Sequence, residues 1–468
     1  MSRTSLQGLL VSPWFLAAAV LFSFFWQLGD LPLYDLDEGA FSEATREMLE
    51  SGNFVTPHKD GEPRYDKPVM IYWLQAASVK VFGLNEFALR LPSALAATLW
   101  VLALHRFTRK RLDTESGYAA SLVMVNALMV SVIARAATAD AVLNLLLALT
   151  LFEIYRYYEA PSRGPLLRVY LWMGLGFLTK GPVAVFFPLV VSLVFFVSQR
   201  QFRAWLAAAF HWPGWLLFLG VALPWYLAIY LDTGPDFFQS FFLRHNLGRF
   251  EGAMHGHGGF PGYYLVVLPL IVLPFTGWLL SLVPRVRQSL AEPLDRYLWL
   301  WFLVVLLFFS FSNTQLPHYV LYGTTPLFVL MAKYREGLKS RWLAFLPPLV
   351  LLVLLLFLPE LLELARTQAR KVHQIALFEE GGQLLGSSYR LQVAIGLGLV
   401  LALALWKRWR PWRGLILAGI VQTAVIAGVV APRVFEVMQA PVKEAALLAR
   451  ELDLPTVVYR TSMPSFSV

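Results

Sequence analysis

The chain has no cysteine among its 468 residues, so neither a disulfide framework nor a thiolate metal site is available to it. Charge is scarce too. Asp, Glu, Lys and Arg make up 15% of the sequence against 57% hydrophobic residues, and the mean hydropathy is +0.58. That balance excludes a soluble globular fold of this size and points to a polytopic membrane protein. Internal repeats and low-complexity segments are also missing, which argues against the related halves common in carriers. The formal charge of +9 does not signal nucleic acid, because Lys and Arg fall in short clusters between apolar runs.

What the sequence has is apolar length. Windows able to cross a bilayer recur at about 9–28, 87–107, 116–134, 138–156, 167–179, 181–199, 210–230, 262–283, 296–311, 316–333, 342–359, 390–406 and 413–431, roughly thirteen spans in all. The first starts just after Met1-Ser2-Arg3 and is longer than a signal-peptide core, so it reads as a retained helix. Six basic clusters, at Arg106–Arg111, Arg156–Arg168, Arg200–Arg203, Arg285–Arg296, Lys333–Arg341 and Lys407–Arg413, fall on one side when the windows are counted alternately. That side is expected to be cytoplasmic, together with the N-terminus. The polar segments are then extracytoplasmic: the loop 29–86, the Arg135–Asp140 turn, Thr179-Lys180-Gly181-Pro182, the segment 231–262 and the Ser312–Tyr319 turn.

The loop 29–86 is the richest in carboxylates. Within it Ala40, Phe41, Ala44, Met48 and Leu49 recur at helical spacing, Glu43, Arg46, Glu47 and Glu50 take the opposite face, and Gly52 is a plausible stop. The pattern predicts an amphipathic helix at the membrane surface with Asp37 and Glu38 at its N-terminus, where the macrodipole favours a carboxylate acting as base or anion. A second interfacial helix is expected from Val69 to Phe82, anchored by Tyr72 and Trp73. Residues 1–431 read as the membrane domain. The tail 432–468, with a helix over Pro441–Leu452 and a strand over Thr456–Tyr459, is too small for its own core; it docks on the membrane domain or belongs to a larger appendage.

Plain structural roles compete for each charged residue. Asp37-Glu38 and Asp140 stand where helix caps stand, and Lys67 and Lys180 are placed to snorkel to headgroups.

Several of these residues also carry a resemblance. Asp37-Glu38, Ser42-Glu43-Ala44-Thr45-Arg46-Glu47-Met48-Leu49, Tyr65-Asp66-Lys67-Pro68, Thr138-Ala139-Asp140, Phe177-Leu178-Thr179-Lys180-Gly181-Pro182, His245 with Arg249-Phe250, and Leu316-Pro317-His318-Tyr319 resemble the aminoarabinose (lipid A) transferases, part of the protein O-mannosyltransferase-like GT-C group. The resemblance covers roughly residues 10–335. It implies an all-α polytopic fold of the GT-C type in the bacterial inner membrane, with a periplasmic site. It also implies transfer of a sugar from a polyprenyl-phosphate donor to lipid A or another envelope glycolipid or glycan.

Since phosphate is already a good leaving group, such a site needs cations for the departing phosphate and a carboxylate for the acceptor. By resemblance Lys67, Arg249 and Tyr319 hold the phosphate with Lys180 nearby, and Asp37, Glu38 and Asp140 are the catalytic carboxylates. The segment 231–262, with His255-Gly256-His257-Gly258-Gly259, reads as a substrate-covering loop. Some members hold a divalent metal ion between an acidic residue and a histidine, here Asp66 and His245. Two departures stand out: Asp66 replaces a glutamate, and Gln315 replaces a lysine before the Leu-Pro turn. The alternatives are a protein O-glycosyltransferase using the same donor class and a lipid or polymer transporter.

Overall fold

The computed structural model describes residues 8–248, 260–453, 456 and 462–468, without the side chains of 245–247. Arg249, Phe250 and the His255–Gly259 run lie outside the described residues, as do positions 457–459 of the expected tail strand.

Among the described residues the architecture is all-α apart from a two-stranded hairpin, His58–Lys59 against Glu62–Pro63. Among the described residues six helices are long and apolar enough to cross a membrane, or eight if each of two bent pairs is one span. The chain is therefore a multi-pass membrane protein, but thirteen full spans are not established. Every expected window contains helix; several are short or broken. The window at 262–283 divides into Tyr263–Ile271 and Thr276–Leu280 around Pro274, and that at 316–333 opens with a 3-10 stretch over Pro317–Gly323. The pair Thr114–Asn126 and Leu128–Ala134 bends by 69°. Arg163–Lys180 carries Arg168 and Lys180, charges that set it apart from a wholly lipid-facing span.

At the centre lies Asp140–Glu159. Of its apolar window 78% is buried inside the protein, against 22% for Ser387–Leu405, so the first is core and the second faces lipid. Aromatic side chains fill the space around it: Phe152 stacks on Phe107 with centroids 4.1 Å apart, and the Tyr297 hydroxyl donates to the Leu151 carbonyl at 2.6 Å. Such contacts place Asp140, at the helix N-terminus, against rigid neighbours.

Both loop helices form, over Asp37–Ser51 and Met70–Phe82. Gly52 ends the first in the left-handed region at φ +70°, a conformation glycine adopts without Cβ strain. One expectation is corrected here. Glu43, assigned to the polar face, is only 1% exposed. Burial raises its carboxyl above the ordinary range even though Arg46 bonds both oxygens and pulls the other way. The helix thus packs on both faces, because other parts of the protein cover its outer side.

The tail docks on the membrane domain. Pro411–Met438 runs as one continuous helix across position 431, since the amphipathic stretch Ala431–Met438 carries on where the apolar run stops. The helix Ala440–Glu451 follows, and Pro464–Phe466 returns to the first loop helix.

Close packing makes one glycine testable. A Cβ on Gly277 would overlap the Leu343 carbonyl of the helix Arg341–Leu356. Gly277→Ala is expected to destabilise the protein by about 1–3 kcal/mol, seen as a lower thermal unfolding midpoint in detergent.

Candidate active site

The loop helix starts with two carboxylates about 100° apart around its axis, so their surroundings differ. Glu38 turns inward and is 5% exposed. Its Oε1 accepts from Arg90 Nε at 2.8 Å and from the Ala137 amide at 2.7 Å, while Oε2 accepts from Arg90 Nη2 at 2.8 Å and the Tyr34 amide at 2.9 Å. A carboxylate has about four acceptor positions, and here all are filled. Arg90 in turn donates to the carbonyls of Leu28, Leu31 and Pro32. Asp37 turns outward. It is exposed, and its carboxylate makes no hydrogen bond among the described residues. The N-cap position belongs to Leu36 and has no side-chain cap bond, so Asp37 is not a capping residue.

Three later segments meet this helix. The Arg135–Ala139 turn is held by Glu38 at the Ala137 amide and by Gln75 Nε2, which donates to the Ala137 carbonyl at 3.3 Å. Gln75 Oε1 accepts from Thr45 Oγ1 at 2.7 Å, tying the two loop helices together. Asp140 follows this turn. Its Oδ1 accepts from Lys180 Nζ at 2.7 Å and from the Tyr322 hydroxyl at 2.9 Å, with His318 Nε2 at 3.8 Å. Asp140 is no cap either, since it pairs across helices. Lys180 Nζ also donates to the Tyr322 hydroxyl at 2.8 Å and lies 5.5 Å from the Tyr319 ring centroid. Gly181, at φ +71°, ends the Lys180 helix and presents that side chain to the network.

These parts enclose one cavity of about 1010 Å³. Asp37, Glu38, Asp66, Lys67, Asp140, Lys180 and Tyr319 all contribute to its lining, so seven expected site residues come together. Lys67 Nζ donates to the Asp66 carbonyl at 3.0 Å. The opposite part of the wall is apolar, from Met129, Val132 and Ile133 to Ile426, Ala427 and Phe435. Gln315 is not on the wall. Its Nε2 donates to the carbonyls of Phe309 and Ser310, closing the end of the helix Pro293–Ser310.

Among the described residues the donor set for a metal is incomplete. Among the described residues no three His, Asp or Glu side chains group to hold an ion. The His245 side chain is not described, and Asp66 Oδ2 lies 3.4 Å from Arg64 Nε, a cation whose charge opposes a metal at the same carboxylate.

With that geometry in place, the chain can be set beside known proteins. The family described as dolichyl-phosphate-mannose-protein mannosyltransferase matches residues 66–227. The undecaprenyl phosphate-alpha-4-amino-4-deoxy-L-arabinose arabinosyl transferase of Pseudomonas paraeruginosa is 31% identical over 398 residues, covering 83% of this chain and 70% of that protein. The chain belongs to the aminoarabinose transferase family.

Family members of the same name from Shewanella sediminis and Aeromonas hydrophila are 30% and 31% identical over 65% and 74% of this chain. The chain spans only 56% and 65% of their lengths. The family fold is seen in the crystal structure of ArnT from Cupriavidus metallidurans bound to undecaprenyl phosphate, with a TM-score of 0.81 at 19% identity over 96% of this chain and 83% of that one.

Sequence reasoning assigned no site role to Arg90, Tyr322, Arg64 or His318 in this family member, although His318 stood within one of the family-like motifs. A signal existed for Arg90: an arginine inside the apolar window 87–107 requires a partner, and the nearest excess of carboxylates is the loop 29–86. Tyr322 gave none, because a tyrosine in an apolar run reads as packing.

The buried pair yields a prediction. Glu38→Gln or Arg90→Gln alone leaves the partner charge buried and is expected to destabilise the protein by about 3–5 kcal/mol. The double variant should lose less than the sum of the two, measured by thermal unfolding in a double-mutant cycle.

Proposed function

We propose that the chain is an inner-membrane glycosyltransferase that moves a sugar from a polyprenyl-phosphate donor to a lipid A-type glycolipid, with its cavity open to the periplasm. The observation that carries this reading is the Asp37 carboxylate, set in the cavity wall without a hydrogen bond among the described residues, where Lys67, Lys180 and Tyr319 also stand. The names of the relatives support an aminopentose as the sugar and undecaprenyl as the lipid.

In this mechanism the acceptor oxygen attacks the anomeric carbon, the bond from that carbon to the phosphate oxygen breaks, and its electron pair leaves with the phosphate, inverting the centre. Lys67 and Tyr319, with Arg249 by family resemblance, stabilise the departing charge. Asp37 takes the proton of an acceptor hydroxyl; towards an acceptor phosphate, already anionic, it positions rather than deprotonates. Glu38, with every acceptor position filled, holds Asp37 in place, and Asp140 fixes the Lys180 ammonium.

Asp37→Asn is expected to reduce transfer by at least about 100-fold while the protein accumulates normally. Transfer of radiolabelled sugar from a synthetic polyprenyl-phosphate sugar by the purified protein measures this, and near-wild-type turnover would remove Asp37 from the mechanism. Sidedness has its own test, helped by the lack of native cysteine. In spheroplasts, Asp60→Cys at the hairpin tip should react with a membrane-impermeant maleimide and Arg408→Cys should not. The reverse pattern would place the cavity on the cytoplasmic side.

A further inference from the structure

Of the guanidinium groups on or packed against the first loop, Arg46 is bonded to Glu43 and Glu50, and Arg90 to Glu38 and three carbonyls. Arg64 is different. Its side chain is only 10% exposed. Yet its Nε and Nη1 make no hydrogen bond among the described residues. Among the described residues its ion pair is with Asp66, whose Oδ2 lies 3.4 Å from Nε, too far for a good hydrogen bond. Other buried guanidiniums with open donors, such as Arg111, still bond a carboxylate, there Glu159. Phe41 lies 4.8 Å from the Arg64 guanidinium carbon and fixes its position. Arg64 and Phe41 both line the large cavity.

Asp66 offsets the Arg64 charge but leaves these buried donors unfilled, and unfilled buried donors are costly unless something arrives to fill them. The group that suits a held, planar guanidinium is an oxyanion, and phosphate above all. We propose that Arg64 binds a phosphate oxygen of a lipid substrate in this cavity, a contact separate from those of Lys67, Arg249 and Tyr319. The proposal rests on the transferase reading only for what that phosphate belongs to. Two sources share the chemistry: the polyprenyl phosphate of the donor and a phosphate on the glycolipid acceptor.

The test compares wild type, Arg64→Gln and Arg64→Lys as full chains in nanodiscs, in two arms. One arm measures binding of undecaprenyl phosphate against undecaprenol, and the other binding of lipid A against phosphatase-treated lipid A. In one arm Arg64→Gln should remove about 10-fold of the affinity that phosphate confers, as expected for a hydrogen bond to a charged group. Arg64→Lys, which keeps the charge but not the plane, should lose less, and it serves alone if Arg64→Gln does not fold. A phosphate-dependent loss in the undecaprenyl arm supports the proposal and assigns the donor; one in the lipid A arm supports it and assigns the acceptor. Unchanged affinities in both arms overturn it, as do equal losses for phosphorylated and unphosphorylated lipids. Sugar transfer plays no part in this readout. A wild-type chain that binds phosphate through Arg64 but transfers nothing would therefore overturn the transferase reading and leave the Arg64 contact standing.

Discussion

The Glu38–Arg90 ion pair joins the first loop to the membrane core, and the geometry of the cavity depends on it. Both side chains are almost fully buried, at 6% and 4% exposure, so each has lost most of its hydration. Opposite charge alone seldom offsets that loss in a low-dielectric interior. Here the remaining lone pairs and donors are also filled, by two amides on the carboxylate and three carbonyls on the guanidinium. The pair therefore fixes three segments relative to one another: the chain at Leu28–Pro32, the N-terminus of the loop helix, and the Ala137 turn that leads to Asp140.

That arrangement explains how adjacent carboxylates take opposite roles. With Glu38 anchored inward, helix geometry turns Asp37 towards the cavity. The same turn delivers Asp140 to Lys180 and Tyr322, so Asp37 and Asp140 are set on the cavity wall by one anchor. Their charges are not equivalent. Asp140 is matched to an ammonium at 2.7 Å, whereas Asp37 has no such bond among the described residues. A site with one neutralised carboxylate and one open carboxylate is suited to holding an anionic ligand beside a base, since the paired aspartate repels that ligand less than a bare one would.

How far this was legible in the sequence depended on whether a residue's type exposed its role. Asp37, Lys67, Asp140 and Lys180 stood out as charges beside apolar windows, where an unexplained charge is conspicuous, and the structure gathers them on one cavity wall. The loop helices were legible from periodicity. The span count was not. Pro274 and the 3-10 stretch at Pro317 break two windows that are apolar enough on average to read as spans, and hydropathy does not register a break. Glu43 was misplaced for a related reason: periodicity shows which face is polar but not whether another part of the chain covers it. Arg64 had no role in the sequence reading, because an unfilled donor is a fact about neighbours in space and leaves no mark in sequence.

The tail adds a second anchor on the same short segment. Ser465 donates from its amide at 2.8 Å and its hydroxyl at 2.5 Å to the two oxygens of Asp35, and the Asp35 amide donates to Gln439 Oε1 at 3.2 Å. Gly39 leaves the room this requires, since a Cβ there would come within 2.7 Å of the Ser465 amide nitrogen and 3.2 Å of Pro464. Asp37 thus lies between Asp35, two residues before it and tied to the tail, and Glu38, the next residue, tied to Arg90. A carboxylate held through a backbone anchored shortly before and directly after it needs no hydrogen bond of its own to be positioned, and its oxygens stay available to a ligand.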